Sequence, residues 1–286
     1  MKEATNIASQ SDVVLFFGGI SPLLEGEEMK VKYDGFNGGD RVKIDLPAIQ
    51  DSLLRKLCAT GKPVVLVLMS GSALAVNWAD QNLPAIMQSW YPGEEGGTSV
   101  TDVLFGDFNP AGRLPVTFYK SADQLPLFED YAMKGRTYKY FEGEPLYPFG
   151  FGLSYSTFQY SNLKYTQAIK TGELLKISVD VKNTSSVVGD EVVQLYTTIE
   201  GSGYQTPIRS LQGFQRVSLN PGEKRTVIFM LNPRQMSVID DNGKRLIVHG
   251  NLMLSVGGGQ PNQLKKLNIA TLSGKVKIMG KSYQIE

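Results

Sequence analysis

The chain has 286 residues, of which 42% are hydrophobic and 20% charged, a composition typical of a globular protein with a buried core. Its formal net charge of +1 leaves no basic surplus to neutralise phosphates, so we expect no nucleic acid partner. The longest apolar run, Pro63 to Met69, is too short to span a bilayer, and no leader pattern is present, so we expect no membrane partner.

Cysteine and histidine each occur once, which excludes an intrachain disulfide framework and any site that needs two histidines. Cys58 lies among apolar residues of a predicted helix, where we expect a small buried hydrophobe. His249 lies beside a predicted strand, and we expect a structural role for it. We therefore predict no cofactor and no metal.

Between residues 12 and 118 the pattern predicts a parallel sheet covered by helices. The continuous apolar runs Val13–Phe17 and Val64–Met69 are predicted strands. A helix between them is indicated by helical spacing, with Asp45 as N-cap and Pro47 in the first turn. The residues at that spacing are Leu46, Ile49, Leu53, Leu54 and Leu57.

A shorter apolar piece, Ala85–Trp90, leads into a glycine-rich loop, residues 91–97, and then a helix through Val100, Val103 and Leu104. A glycine-rich loop before a helix can bind an anion. The spacing here matches neither the dinucleotide nor the Walker pattern, and its two glutamates would repel phosphate, so the pattern disfavours nucleotide binding.

After about Tyr165 apolar residues alternate with polar ones, which predicts antiparallel strands. The predicted strands contain Leu175, Ile177, Val179 and Val181, then Glu191–Thr197, Thr226–Leu231 and Leu252–Val256. Turn residues separate them, as in an antiparallel β-sandwich. The predicted fold class is thus α/β plus all-β, with an α/β sandwich domain at 1–118, an ordered aromatic connector at 119–161 and a β-sandwich at 162–286.

Three carboxylates fall close together just after the first predicted strand, at Glu25, Glu27 and Glu28. Open α/β sheets place functional loops at the carboxyl ends of their strands. Mutual repulsion in a poorly solvated cleft would raise one pKa and make that residue a proton donor near neutrality. The residues alone leave an alternative to a proton donor, which is an acidic loop that is exposed to solvent and has no function.

Several motifs, in order, resemble glycoside hydrolase family 3. They are Leu24-Glu25-Gly26-Glu27-Glu28, Gly38-Gly39-Asp40-Arg41, Tyr91-Pro92-Gly93-Glu94-Glu95-Gly96-Gly97, Asn109-Pro110-Ala111-Gly112-Arg113-Leu114-Pro115, Tyr147-Pro148-Phe149-Gly150-Phe151-Gly152-Leu153-Ser154-Tyr155 and Gly189-Asp190-Glu191-Val192-Val193. The resemblance covers nearly the whole chain, and its last part is similar to the family's fibronectin type III-like domain. It implies retaining hydrolysis of terminal β-linked xylose or glucose in oligosaccharides, and the first motif looks most like bacterial β-xylosidases.

The resemblance also implies site residues. It places the general acid/base at Glu27, with Glu25 and Glu28 as alternates, and Asp40 and Arg41 as an ion pair that braces the loop or as sugar contacts. The family's nucleophile belongs to a barrel domain that precedes this region, so we expect weak or no hydrolysis by this chain alone. Full-length family members are expected in the periplasm or secreted.

The family's α/β domain also begins upstream of this region, which implies an exposed apolar sheet edge here. We therefore expect a barrel domain or a second copy of the chain as a partner. A second hypothesis is a non-catalytic carbohydrate-binding module that uses exposed aromatic residues, and a third is a purely structural role.

Overall fold

The computed structural model describes residues 1–25, 31–38, 40–261 and 269–285. The chain divides into two compact units. The first comprises Met1–Phe108, Thr117–Phe128 and Pro145–Tyr147, and the second comprises Asn109–Val116, Glu129–Glu144 and Pro148–Glu286. The aromatic segment around residues 119–161 therefore contributes residues to both units.

A three-stranded parallel sheet forms the centre of the first unit. Its strands are β1 (Val14–Gly19), β4 (Val64–Met69) and β5 (Ala85–Gln88), and they lie in the order β1-β4-β5. A two-stranded hairpin contains β2 (Phe36–Asn37) and β3 (Asp40–Arg41). The helices are α1 (Lys2–Ser9), α2 (Ala48–Cys58), α3 (Asn77–Asn82) and α4 (Gly96–Phe105), and a short 3₁₀ turn spans Ala122–Gln124. The predicted α/β pattern is confirmed.

One detail of the predicted helix is wrong. Helix α2 begins at Ala48, and Pro47, with ψ 130°, is its N-cap. Asp45 was the predicted cap, but it lies in extended backbone and forms an isolated parallel bridge with Ala75. The extended conformation of Pro47 keeps the preceding residues out of the helix.

Strand β1 is an edge strand of this sheet, because it pairs only with β4 among the described residues. Helix α2 contacts β1 and buries Leu54 and Leu57. Side chains alternate across a strand, and Leu15 and Phe17 are 40% and 53% exposed. The first sheet thus carries uncovered apolar side chains at its β1 edge.

Antiparallel strands make up most of the second unit. The strands are β6 (Phe158–Tyr165), β7 (Ala168–Lys170), β8 (Leu175–Asn183), β9 (Gly189–Glu200), β10 (Ser210–Leu219), β11 (Lys224–Leu231), β12 (Ser237–Ile239), β13 (Arg245–Ile247), β14 (Gly250–Gly257), β15 (Thr271–Met279) and β16 (Tyr283–Ile285). They form sheets of order β10-β9-β14-β15-β7, β11-β8-β6 and β12-β13-β16. A short helix, α5 (Thr137–Tyr140), and a 3₁₀ turn, Pro233–Met236, complete it.

One buried cluster contains side chains from both the five-stranded sheet and the sheet β11-β8-β6. The predicted alternation on β8 is confirmed, because Leu175, Ile177, Val179 and Val181 are all fully buried. Asp180 is an exception to this alternation. We predicted that its carboxylate faces solvent, but it is buried and accepts hydrogen bonds from Asn162 and Thr226. The second unit is a β-sandwich, as predicted.

The one cysteine and the one histidine of the sequence make local contacts. Cys58 is half-buried, with its sulfur 3.9 Å from the Asn82 carbonyl oxygen. The exposed His249 has its Nδ1 3.2 Å from the Ser282 hydroxyl. Across the part of the chain that the structure describes, no helix combines the length and hydropathy that crossing a membrane requires.

Candidate active site

The carboxyl ends of β1, β4 and β5 lie side by side, because the three strands are parallel neighbours. The loop after β1 contains Glu25, the loop after β4 contains Gly71 and Ser72, and the loop after β5 contains Tyr91. Such an edge is where open α/β sheets assemble their functional loops. Here the three loops meet at one carboxylate.

The chain leaves β1 through Gly19, a position that requires glycine. Its φ is +138°, and an added Cβ would fall on the Met69 carbonyl oxygen. The Gln50 side chain fixes both peptide groups of Gly19, since its amide N–H donates to the Gly19 carbonyl (2.8 Å) and its oxygen accepts from the Gly19 N–H (2.7 Å). This anchoring directs the following loop across the ends of β4 and β5.

Glu25 is held by three donors. The Gly71 N–H donates to Oε2 at 2.8 Å, the Ser72 hydroxyl donates to Oε1, and the Tyr91 hydroxyl donates to Oε2. The approach needs glycine at position 71, because a Cβ there would lie 2.9 Å from both the Glu25 Oε2 and the Tyr91 ring. We call Glu25, Gly71, Ser72 and Tyr91 the Glu25 clamp.

Arg41 supports the Glu25 clamp from the hairpin. Its Nη1 donates to the Ser72 hydroxyl at 2.9 Å and its Nε to the Lys43 carbonyl at 3.2 Å, while the guanidinium lies 5.7 Å from the centre of the Phe36 ring. Among the described residues Arg41 forms no ion pair with Asp40, whose backbone pairs with Asn37. The expected Asp40–Arg41 ion pair is therefore wrong, and Arg41 braces the loop through Ser72.

These contacts decide the charge of Glu25. Burial raises its pKa, but the hydrogen bonds from Ser72, Tyr91 and Gly71 and the charge of Arg41 outweigh burial and lower the pKa below its ordinary value. Burial, with the hydrogen bond to Glu25, raises the pKa of Tyr91 to about 12. Near neutral pH Glu25 is thus an ionised acceptor that holds the loop, and Tyr91 is its donor.

The other two carboxylates of the motif, Glu27 and Glu28, lie outside the described residues. Glu25 was an alternate for the acid/base, and its hydrogen bonding suits a loop anchor better than a proton donor. Over the described ranges no cluster of three or more His, Cys, Asp or Glu side chains could hold a metal ion.

The sequence analysis missed Ser72 and Tyr91. Tyr91 lay in a glycine-rich loop that was weighed as an anion site and as a family motif, without a role for Tyr91 itself, and Ser72 lay in no motif. The signal available in the sequence was the prediction of parallel strands, since residues that follow neighbouring parallel strands meet at one edge. Which strands are neighbours comes from the structure, where the order β1-β4-β5 brings residues 70–72 and 91 beside the acidic loop.

Comparison with known families gives two matches. The model of the glycosyl hydrolase family 3 C-terminal domain matches residues 1–155, and that of the fibronectin type III-like domain matches residues 191–260. The first match covers more than half of the chain.

Individual proteins agree with these matches. Xylan 1,4-β-xylosidase of Xylanibacter ruminicola is 45% identical over 264 residues, which are 90% of this chain and 30% of that protein. The periplasmic β-glucosidase of Salmonella typhimurium is 37% identical over 243 residues, covering 80% of this chain and 30% of the relative.

Solved structures agree as well. The β-D-glucoside glucohydrolase of Trichoderma reesei superposes with a TM-score of 0.84 at 27% identity, over 97% of this chain and 42% of that one. The β-glucosidase of Erythrobacter marinus gives 0.82 at 34% identity, over 97% and 36%. This chain therefore spans between 30% and 42% of the length of these four proteins.

Proposed function

Because this chain belongs to glycosyl hydrolase family 3, we propose that it forms the C-terminal part of a retaining, exo-acting β-glycosidase and supplies its general acid/base. The bond broken is the one that joins a terminal β-linked xylose or glucose to an oligosaccharide. The relatives named as β-xylosidases and β-glucosidases support both sugars.

We assign the proton donor to Glu27. The observation that carries this assignment is the set of three hydrogen bonds that Glu25 accepts, which makes Glu25 an anchor two residues before Glu27. A carboxylate held in this way fixes the start of the loop, and a general acid must be held in place to protonate a leaving group. Glu27 would protonate the glycosidic oxygen and then deprotonate the water that releases the sugar.

Retaining hydrolysis needs a second carboxylate, the nucleophile, about 5 Å from the first. We propose that this group comes from residues outside this chain, from the barrel that the family resemblance implies. The purified chain should then release little or no sugar from xylobiose or cellobiose. Robust release that is abolished by Glu27→Gln would refute the assignment of the nucleophile to another segment.

The role of Glu27 can be tested in a chimera. This chain would replace the matching segment of the Xylanibacter ruminicola β-xylosidase, which is 45% identical to it. With a substrate that has a good leaving group, Glu27→Gln should accumulate the glycosyl-enzyme, and added azide should restore turnover as the glycosyl azide. Glu28→Gln is the matched control, and azide rescue of that variant instead would move the assignment to Glu28.

A non-catalytic carbohydrate-binding role is the second candidate, and exposed aromatic side chains favour it. Phe128 and Tyr131 are 78% and 90% exposed. Retention on insoluble xylan should survive Glu27→Gln and fail in Phe128→Ala and Tyr131→Ala if these rings bind polysaccharide. Passage of the wild-type chain without retention would eliminate this candidate.

A further inference from the structure

The sequence contains two Asn-Gly pairs, Asn37-Gly38 and Asn242-Gly243. Asparagine is a thermolabile residue. The backbone nitrogen of the residue that follows it can attack the side-chain amide carbon, and a following glycine has no Cβ to hinder this attack. All four residues are exposed, and φ is positive at both glycines, +64° at Gly38 and +76° at Gly243. The two pairs therefore match in residue type, exposure and glycine conformation.

The hydrogen bonds of the two glycine N–H groups differ. The Gly243 N–H donates to the Asp240 carbonyl at 3.0 Å. The Gly38 N–H donates to no residue that the structure describes, although the Gly38 carbonyl accepts from the Val31 N–H at 2.9 Å. A backbone nitrogen must give up its hydrogen bond before it can act as a nucleophile, which costs free energy. The attack is therefore easier at the first pair.

The turn around Asn242 is held by further hydrogen bonds. The Asp240 carboxylate accepts from the Asn242 N–H at 2.9 Å and from the Lys244 N–H at 2.8 Å, and the Asp240 N–H donates to the Lys244 carbonyl at 2.9 Å. The Asn37 side chain, in contrast, forms no hydrogen bond with a described residue. It is free to rotate toward the Gly38 nitrogen.

We propose that Asn37 deamidates spontaneously and that the product weakens the β2–β3 hairpin. The Gly38 nitrogen forms a bond to the side-chain carbonyl carbon of Asn37, the bond from this carbon to Nδ2 breaks, and ammonia leaves with the proton of the Gly38 amide. Water then opens the cyclic imide at either carbonyl and gives aspartate or isoaspartate. The inference uses no catalytic assignment, so its outcome is independent of the role of Glu27.

The place of Asn37 in the hairpin gives this reaction a structural consequence. Asn37 pairs directly with Asp40 across β2 and β3. Like charges directly opposite each other destabilise a strand pair, and an aspartate at position 37 would face the Asp40 carboxylate. Isoaspartate would add a carbon atom to the backbone and disturb the register of strands that are two residues long. Arg41 lies in β3 and would lose part of its support.

The test is peptide mapping by mass spectrometry after incubation of the whole folded chain at mildly alkaline pH. Trypsin releases residues 33–41 and 235–244 as separate peptides, and Asn37 is the one side-chain amide in the first. Conversion of this amide to an acid should be about 5-fold faster than at Asn242, the factor that one amide hydrogen bond predicts. In urea, where the turns are lost, the two rates should agree within about 2-fold.

A variant at the other pair provides the reciprocal test. Asp240→Ala removes the carboxylate that holds the turn around Asn242. Deamidation of Asn242 should then be about 2-fold faster or more, while that of Asn37 stays as in the wild type. Asn242 that reacts no faster in this variant would contradict the argument from hydrogen bonding.

The effect on the hairpin is measured with Asn37→Asp, which mimics one product, against the neutral control Asn37→Gln. The Val42 N–H donates to the Gly35 carbonyl at 2.9 Å within the hairpin, so its hydrogen exchange reports opening. Exchange of this amide should be about 2-fold faster or more in Asn37→Asp than in Asn37→Gln.

Three results would overturn the proposal. They are an Asn242 that reacts as fast as Asn37 in the folded chain, a difference between the two rates that persists unchanged in urea, and equal exchange of the Val42 amide in the two variants at position 37. The first two comparisons use the wild-type chain and depend on no variant. Circular dichroism of each variant verifies folding.

Discussion

Glu25 illustrates how one residue of an acidic motif is set apart from its neighbours. Its carboxylate accepts hydrogen bonds from the backbone of Gly71 and the hydroxyls of Ser72 and Tyr91, and Arg41 adds a positive charge nearby. Each donor stabilises the ionised form. In the Glu25 clamp the negative charge therefore holds the loop against the sheet edge.

Removal of this carboxylate should destabilise the chain. We expect Glu25→Ala to lower the free energy of unfolding by roughly 1 to 2 kcal/mol at pH 7, because hydrogen bonds to a charged group are lost. Tyr91→Phe should lower the free energy of unfolding by less, since Gly71 and Ser72 still donate to Glu25. Urea unfolding measures both, with Glu94→Ala in the loop after β5 as the exposed control; equal stability of Glu25→Ala and that control would contradict the clamp.

The difference in unfolding free energy between the wild type and Glu25→Ala should depend on pH, because the pKa of Glu25 is lowered. A carboxyl with a depressed native pKa stabilises the fold above its unfolded value, here 4.5, and this stabilisation is lost as the pH falls through the native pKa. The stability gap between wild type and Glu25→Ala should therefore narrow in acid. A stability difference between the wild type and Glu25→Ala that grows as the pH falls would contradict this prediction.

Asp180 shows the same principle in the sandwich. Hydrogen bonds from Asn162, Thr226 and Lys224 lower its pKa to about 2 from 3.8. Its stabilisation, at most about 2 kcal/mol, should be present above pH 3.8 and lost as the pH falls through about 2. Comparison of Asp180→Asn with the exposed control Asp241→Asn by urea unfolding at pH 6 and pH 2.5 measures this; a difference that does not shrink in acid would contradict it.

At the scale of elements, apolar periodicity was the informative signal. The run Val64–Met69 is β4 with the same bounds, and the inward residues of β8 are the ones that alternation selected. The order of the strands and the first residue of α2 could not be predicted from the sequence. Both depend on contacts between residues distant in sequence, through pairing across the sheet and through the extended backbone of Pro47. The site was predictable only in part for the same reason, since Ser72 and Tyr91 reach Glu25 from loops 47 and 66 residues away.

Strand β1 gives a prediction at this scale. Its edge carries the exposed side chains of Leu15 and Phe17, which favours association with a second copy of the chain when nothing else covers them. Light scattering should show concentration-dependent association of the wild type. Leu15→Ser with Phe17→Ser should reduce it while the control Leu153→Ser does not, and association unaffected by the double variant would place the contact elsewhere.

At the scale of the whole molecule, the chain contains a glycosyl hydrolase family 3 C-terminal domain, in which three loops meet at Glu25, and a fibronectin type III-like domain. The first unit contributes a loop with an anchored carboxylate, and the segment after that anchor contains the proposed donor. Family membership is established by the comparisons, whereas the division of labour between Glu25 and Glu27 rests on the hydrogen bonds of the Glu25 clamp. The two roles predict different kinetics.

The most direct test compares Glu25→Gln and Glu27→Gln in the xylosidase chimera with two substrates, xylobiose and a dinitrophenyl xyloside. In a retaining glycosidase kcat/KM reports the steps up to the glycosyl-enzyme, and in those steps the general acid matters only when the leaving group needs a proton. Glu27→Gln should therefore lose about 100-fold or more in kcat/KM on xylobiose and far less on the dinitrophenyl xyloside. Glu25→Gln, a positioning change, should slow both substrates by similar factors. A leaving-group-dependent loss in Glu25→Gln, with equal losses in Glu27→Gln, would contradict the account.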